Sequence, residues 1–240
     1  KRNKNNISQV LKPTFMPVLA PYNNYTGSLE INNSNIFSRN RSSSIYQWES
    51  GPRINYGAEW YVDYKDKYNG NLIIGQSIKF NKDKSNTSDE LSDIMSALFI
   101  NIAEGVYTNA EFIIDRKEYN INKSNITSSI SYKDIKLNAE YDYVSNNVSE
   151  QLGLATKIKI ANDLDFVFSG KRDLNSKINI GYETGLFYEN DCVAIDFKYY
   201  RDLTKFKDVK DAKGFSLLIT LKPFGNSKSF GKSITFGPQI

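Results

Sequence analysis

A long stretch of the chain, from Arg53 to Lys222, has no proline and alternates apolar with polar side chains. Successive side chains of a β-strand point to opposite faces, so a period of two indicates strands whose two faces meet different surroundings. In the first of these strands, one face is apolar and aromatic and the other is mostly polar. One face carries Ile54, Tyr56, Ala58, Trp60, Val62 and Tyr64, and the other carries Asn55, Gly57, Glu59, Tyr61 and Asp63.

This alternation predicts an all-β fold, an antiparallel up-and-down transmembrane β-barrel of which the chain supplies about 11–12 strands. No run approaches the roughly 18 apolar residues of a helical span, but barrel strands need no such run because polar residues are interleaved. Aromatic residues reach 13%, as in barrel girdles, although a tyrosine-rich soluble sandwich would give the same count. The expected strands are 54–64, 70–80, 94–103, 107–115, 126–132, 135–144, 150–160, 164–171, 177–188, 191–201 and 213–222.

The connections between these strands alternate in length. From the third strand onward a short turn such as Lys133-Asp134 is followed by a longer connection such as 145–149. Outer-membrane barrels have short periplasmic turns and longer external loops. The alternation therefore predicts which end of each strand lies on which side of the membrane.

Two segments depart from the simple pattern. Residues 85–98 have an apolar spacing that fits one face of a short helix, but a long loop running into a strand near Asp93 is favoured. A further strand is expected at Ile7 to Leu19. Because proline has no N–H to donate, Pro13 and Pro17 would place that strand at an edge or in an irregular position.

The residue inventory argues against catalysis. The chain has no histidine, which removes the commonest general base and metal ligand, so no metal site or cofactor is expected and the chain is not predicted to be an enzyme. Carboxylate pairs such as Asp163 with Asp165 or Asp191 with Asp196 are better explained as charged residues that lie in turns or face a water-filled lumen. The net charge of +4 comes from intermixed acidic and basic residues, which does not suggest a nucleic-acid partner.

The polar strand faces and one cysteine are the candidate functional positions. The single cysteine, Cys192, follows the short turn Glu189-Asn190 and is expected near the periplasmic rim, where disulfides persist. It is either a buried free thiol or half of a disulfide whose partner lies outside this sequence. The polar residues expected to face the lumen are Glu59, Asp63, Asn179, Glu183, Asp196 and Lys198.

The order of several motifs resembles the C-terminal half of the LptD family of lipopolysaccharide-assembly proteins. The first two similar stretches are 34–41, Ser-Asn-Ile-Phe-Ser-Arg-Asn-Arg, and 49–57, Glu-Ser-Gly-Pro-Arg-Ile-Asn-Tyr-Gly. Further similarity lies at 92–94, 151–154, 188–192 and 214–221. The Gly-Tyr-Asp that the family has after its Asn-Arg pair is replaced by Ser42 to Tyr46. The motif residues are Asn35, Phe37, Asn40, Arg41, Glu49, Gly51, Arg53, Tyr56 and Gly57.

The resemblance implies a section of the barrel that inserts lipopolysaccharide (LPS) into the outer leaflet of the bacterial outer membrane. It implies a plug lipoprotein, LptE, and a periplasmic LPS bridge protein reached through an N-terminal domain. It also implies that Cys192 pairs with a cysteine of that domain. Residues 1–240 are expected to be one C-terminal barrel segment, with the periplasmic jellyroll and first strands outside this sequence. The alternatives are a self-contained porin or adhesin barrel and a soluble β-repeat binding protein.

Overall fold

The computed structural model describes residues 2–4, 7–22, 31–41, 49–65, 67–80, 91–145, 149–203, 212–222 and 230–236. Within these described ranges fourteen strands follow one another, and the neighbours of each strand in the sheet are its neighbours in the sequence. The predicted antiparallel up-and-down all-β architecture is therefore confirmed. The strands are β1 (Arg2–Lys4), β2 (Ile7–Val18), β3 (Arg53–Tyr64), β4 (Tyr68–Lys79), β5 (Ile94–Ala103), β6 (Val106–Ile114), β7 (Ile121–Tyr132), β8 (Ile135–Val144), β9 (Ser149–Ala161), β10 (Leu164–Asp173), β11 (Asn179–Glu189), β12 (Val193–Asp202), β13 (Ala212–Leu221) and β14 (Phe230–Phe236).

The strand boundaries follow the sequence predictions with a few differences. β5 and β8 begin and end at the predicted residues, whereas β7 begins at Ile121 instead of residue 126. The short strands β1 and β14 were not predicted. At 91–98 the backbone forms a bridge at Leu91 and then β5, so this part is strand and not helix, and residues 85–90 lie outside the described residues. Among the described residues, no helix is long and apolar enough to cross a membrane.

The chain forms two compact units. The first comprises residues 1–126 with 143–146, and the second comprises 127–142 with 147–240. In the first unit, β3 pairs along its whole length with β2 on one side and with β4 on the other. β1 pairs only with Ile7, Ser8 and Gln9, so β2 has no partner from β1 at Pro13 and Pro17. This is the edge position that the two prolines predicted.

The two faces of the first unit differ in polarity. Residues directly opposite each other on paired strands lie on the same face, so the registers of β2 to β6 sort their side chains into two sets. We call one set the apolar face of the first unit: Leu11, Phe15, Ile54, Trp60, Leu72, Ile74, Leu98, Ile100 and Phe112. The other is its polar face: Lys12, Asn55, Glu59, Asp63, Asn71, Ser77, Asn101 and Glu111.

The second unit repeats this separation. Asp165 lies opposite Phe187, which lies opposite Asp196, and the same registers place Ser169 opposite Glu183. The polar face of the second unit includes Lys157, Asp165, Ser169, Lys171, Glu183, Asp196 and Lys198. Its apolar face includes Leu154, Ile158, Phe166, Phe168, Leu186, Ile195, Phe197, Phe215 and Ile219.

Very few apolar side chains are buried. Among the residues that the structure describes, only Ile36, Met95 and Ala110 form an apolar core. By contrast, Trp60 is 43% exposed and Phe197 is 44% exposed, and both lie on apolar faces. A soluble sandwich would bury such faces against a second sheet. Each unit instead leaves its apolar face open, as expected for strands that contact lipid.

Candidate functional site

A buried cluster at one end of β3 and β4 gathers most of the motif residues. It begins with residues 31–41, which belong to the long connection between β2 and β3 and which we call the inner segment. The Asn32 side-chain oxygen accepts hydrogen bonds from the backbone N–H groups of Ser34 (3.0 Å) and Asn35 (3.2 Å). The Asn35 side-chain oxygen accepts in return from the Asn32 N–H at 2.9 Å. This reciprocal turn fixes the backbone that leads into Ile36 and Phe37.

Ile36 and Phe37 pack against a pair of glycines on the polar face. Gly57 of β3 lies directly opposite Gly75 of β4, so the sheet has no side chains at this point. A Cβ added to Gly75 would lie 3.0 Å from both Ile36 Cγ1 and Phe37 Cζ, and one added to Gly57 would lie 2.9 Å from Phe37 Cζ. Ile36 is fully buried. The glycine pair therefore forms the platform on which the inner segment rests.

A charge cluster holds the end of the inner segment. Arg41 donates to the Glu49 carboxylate through Nε, at 2.7 Å, and through Nη2, a two-point contact. Arg53, the first residue of β3, places its Nε 3.4 Å from Glu49 Oε2, and its Nη2 donates to the Arg39 carbonyl. All three charged side chains are at most 2% exposed. Two guanidinium groups thus share one carboxylate in a buried site.

Hydrogen bonds connect this cluster to the neighbouring strands. The Glu49 N–H donates to Asn40 Oδ1 at 3.0 Å. Asn55, which is fully buried, accepts from Ser77 Oγ at 2.7 Å. The Ser77 N–H donates to Ser92 Oγ at 3.0 Å, which brings the third motif stretch to the end of β4. Ser92 also donates its own N–H to the Ser77 carbonyl at 2.8 Å.

The structure thus brings together residues that are up to about forty positions apart in the sequence, such as Ile36 and Gly75. Seven of the nine motif residues lie in the inner segment, the charge cluster or the glycine pair. Gly51, with φ of 82°, donates its N–H to the Pro21 carbonyl at 3.2 Å in the turn before β3. Tyr56 points to the opposite face, where its hydroxyl donates to Gln76 Oε1 at 2.7 Å. Residues 42–46, where the family's Gly-Tyr-Asp is missing, lie outside the described residues.

Sequence reasoning missed several partners in this cluster, namely Ile36, Gly75, Ser77 and the buried role of Asn55. One signal was available for Gly75, because a glycine inside a strand often marks a close approach of another part of the chain. The others depend on strand register, which no local pattern specifies.

The residues predicted to face a lumen lie on the polar faces of their own units. In the first unit, Glu59 accepts from Asn71 Nδ2 at 3.1 Å and lies 3.7 Å from Lys12 Nζ. Asp63 lies on the same face of β3. In the second unit, Asp196 and Lys198 form an ion pair at 2.9 Å. Glu183 lies on the same face of β11, and Asn179 is the first residue of this strand, opposite Arg172, where the register between β10 and β11 shifts.

The polar face of the second unit contains a cavity of about 290 Å³. Glu183, Asp196, Lys198 and Lys157 contribute to its lining. Lys157 pairs with Asp165 at 2.8 Å and lies 4.3 Å from the centre of the Phe187 ring. The cavity wall thus combines charged side chains with apolar ones, among them Val167, Phe168 and Phe187.

Cys192 is an exposed free thiol in the turn between β11 and β12. Its N–H donates to Asn190 Oδ1 at 2.9 Å, and its carbonyl accepts from the Lys222 N–H at 2.8 Å. The backbone of the turn is therefore fixed while the sulfur stays accessible. Exposure contradicts the alternative of a buried thiol packed in the wall, because a tight turn presents its side chains outward. Among the described residues, no group of three or more acidic or cysteine side chains could hold a metal ion.

Comparison with known proteins assigns the family. The family model described as "LPS transport system D", LptD, matches residues 1–169. The chain belongs to the LptD family. LptD is a transport and assembly family and not an enzyme family. The matched range includes the inner segment, the charge cluster and the glycine pair, and it ends before Cys192.

One curated relative matches a shorter part of the chain. The LPS-assembly protein LptD of Pseudoalteromonas translucida (strain TAC 125) is 34% identical over 101 residues. That match covers 40% of this chain and 14% of the relative. The chain therefore aligns with only a small part of that LptD protein.

Proposed function

We propose that this chain is a section of the wall of an LptD barrel that inserts LPS into the outer leaflet of the bacterial outer membrane. The observation that carries the proposal is the separation of the two faces. In both units, exposed apolar side chains such as Trp60, Ile74 and Phe197 collect on one face of the long paired strands, and most charged side chains collect on the other. Together with membership of the LptD family, this separation favours lipid outside and a wet lumen inside.

In this proposal the polar faces meet the sugars of LPS. The residues involved are Glu59 and Asp63 in the first unit and Asn179, Glu183, Asp196 and Lys198 in the second. Charged side chains make such a wall less favourable for acyl chains than the bilayer, so the acyl chains would leave the barrel sideways into the bilayer. The role is transport and not catalysis.

The proposed partners follow from the family and lie outside this chain. They are the plug lipoprotein LptE within the lumen and a periplasmic LPS bridge protein, reached through an N-terminal jellyroll domain. Residues 1–240 would be one C-terminal segment of the barrel, with that domain and the first strands supplied by the rest of the protein.

Depletion of the full-length protein in its own bacterium tests this role. We expect newly made LPS to disappear from the cell surface and to accumulate inside the envelope, because no other wall would offer it a path. The measurement is modification of LPS by an enzyme added outside the cells. Normal surface LPS together with reduced uptake of small solutes would contradict the proposal and support the porin alternative.

Cys192 is proposed to form a disulfide with a cysteine of the missing N-terminal domain. Its exposed sulfur in a fixed turn has the accessibility that such a bond needs. Non-reducing electrophoresis of the full-length protein should give a mobility that changes on reduction, and replacing Cys192 with serine should abolish the change. Identical mobility with and without reductant would end the disulfide proposal.

A further inference from the structure

We propose that Arg41, Glu49 and Arg53 form a charge latch that holds the inner segment, residues 31–41, against the polar face of β3 and β4. If the polar face lines the lumen, as the proposed function states, the latched segment narrows the barrel at the end that carries the long loops. The latch itself is defined by contacts within the first unit and does not depend on what passes through the barrel.

The three charges come from separate parts of the chain. Arg41 ends the inner segment, Glu49 lies beyond residues 42–48, and Arg53 begins β3. Glu49 contacts both guanidinium groups, so it joins the segment to the strand. Without its charge, two buried cations would face each other with no anion between them. Burial makes this costly, because removing one member of a buried charge group leaves the others neither paired nor hydrated.

The segment also has attachments that do not use the Glu49 charge: Arg53 Nη2 donates to the Arg39 carbonyl, and Asn40 Oδ1 accepts from the Glu49 N–H. Ile36 and Phe37 contact glycines, which have no side chains that could interlock with them. The Arg41 Nη1, Arg53 Nε and Arg53 Nη1 atoms are buried and have no hydrogen-bond partner, and Glu49 is the carboxylate that forms an ion pair with both cations. The closed position should therefore depend strongly on Glu49, and the latch should open when that one charge is removed.

Thiol labelling of the full-length protein in outer membranes tests the latch. A cysteine introduced by Ile36→Cys lies at a fully buried position and should react slowly with a maleimide while the segment is latched. Adding Glu49→Gln should raise its labelling rate about 100-fold, the effect expected from breaking a buried charge group. Peptide mass spectrometry measures position 36 separately, so Cys192 stays in place.

Matched variants distinguish opening of the latch from a general loss of folding. Glu118→Gln makes the same change in an exposed turn and should leave the labelling rate at position 36 unchanged. Arg41→Lys keeps the charge but loses the two-point contact, so we expect an increase of about tenfold. Folding of every variant is checked by its migration before and after boiling. Unchanged labelling in a folded Glu49→Gln variant would overturn the latch, and so would an equal increase in Glu118→Gln.

Arginine substitutions on the two faces of β4 distinguish failure of the latch from failure of the proposed function. If Glu49→Gln speeds labelling, and Ile74→Arg on the apolar face reduces folded protein in outer membranes more than Ile73→Arg on the polar face, both proposals are supported. If labelling rises while the two arginine variants are equally abundant, the latch stands and the placement of the polar face in the lumen is wrong.

Discussion

Replacing Gly57 with alanine is expected to lower the free energy of unfolding by about 3 kcal/mol, the upper part of the usual range for overpacking. The new methyl group would collide with the carbonyl oxygen of Ile74 and would lie 2.7 Å from the Gly75 Cα. Both are backbone atoms of the paired strand, so neither can move without separating β3 from β4. The methyl would also press on Phe37 Cζ at 2.9 Å and displace the inner segment.

Gly70 provides the matched control on the neighbouring strand. A Cβ added there meets only the Phe99 carbonyl oxygen, at 3.7 Å, which is an ordinary contact. Gly70→Ala should therefore be neutral or stabilise the fold by about 0.5 kcal/mol, because alanine reduces the freedom of the unfolded chain. Urea titrations of the full-length protein, followed by loss of the folded band on unboiled gels, measure both variants. Equal midpoints for Gly57→Ala and Gly70→Ala would contradict the close approach at Gly57.

The strands were predictable because their signals are local. Alternation with a period of two and clusters of turn residues are visible within ten residues, and they located β5 and β8 to the residue. The predicted start of β7 was five residues too late. The residues from Asn122 to Asn125, near the start of this strand, are all polar and resemble a loop. Pairing with the neighbouring strands, and not the local sequence, makes these polar residues part of β7.

The candidate site was only partly predictable. The resemblance identified Arg41, Glu49 and Arg53 as motif residues, but it did not indicate that they contact one another. Glu49 and Arg53 are only four residues apart, but the contact of Arg41 with Glu49 depends on how the inner segment packs on β3 and β4, which local sequence does not specify. The same holds for Gly57 and Gly75, which meet only because β3 and β4 pair in one register.

The central claim is that the apolar faces contact lipid, and adjacent isoleucines of β4 allow a direct test. Ile74 lies near the middle of the strand on the apolar face and is 44% exposed. Arginine at an exposed position of a soluble protein usually changes stability by less than about 0.5 kcal/mol. On the lipid face of a barrel the same change costs about 2–4 kcal/mol near the middle of the bilayer. Ile74→Arg should therefore be strongly destabilising only if lipid covers that face.

Ile73 is the control, because it lies opposite Glu59 on the polar face, where a new guanidinium group would find water and a carboxylate. The decisive measurement is the amount of folded full-length protein in outer membranes for the two arginine variants expressed at equal levels. If the apolar face contacts lipid, the amount of folded protein should fall several-fold for Ile74→Arg and less for Ile73→Arg. Equal amounts of the two variants, or a larger loss for Ile73→Arg, would contradict it.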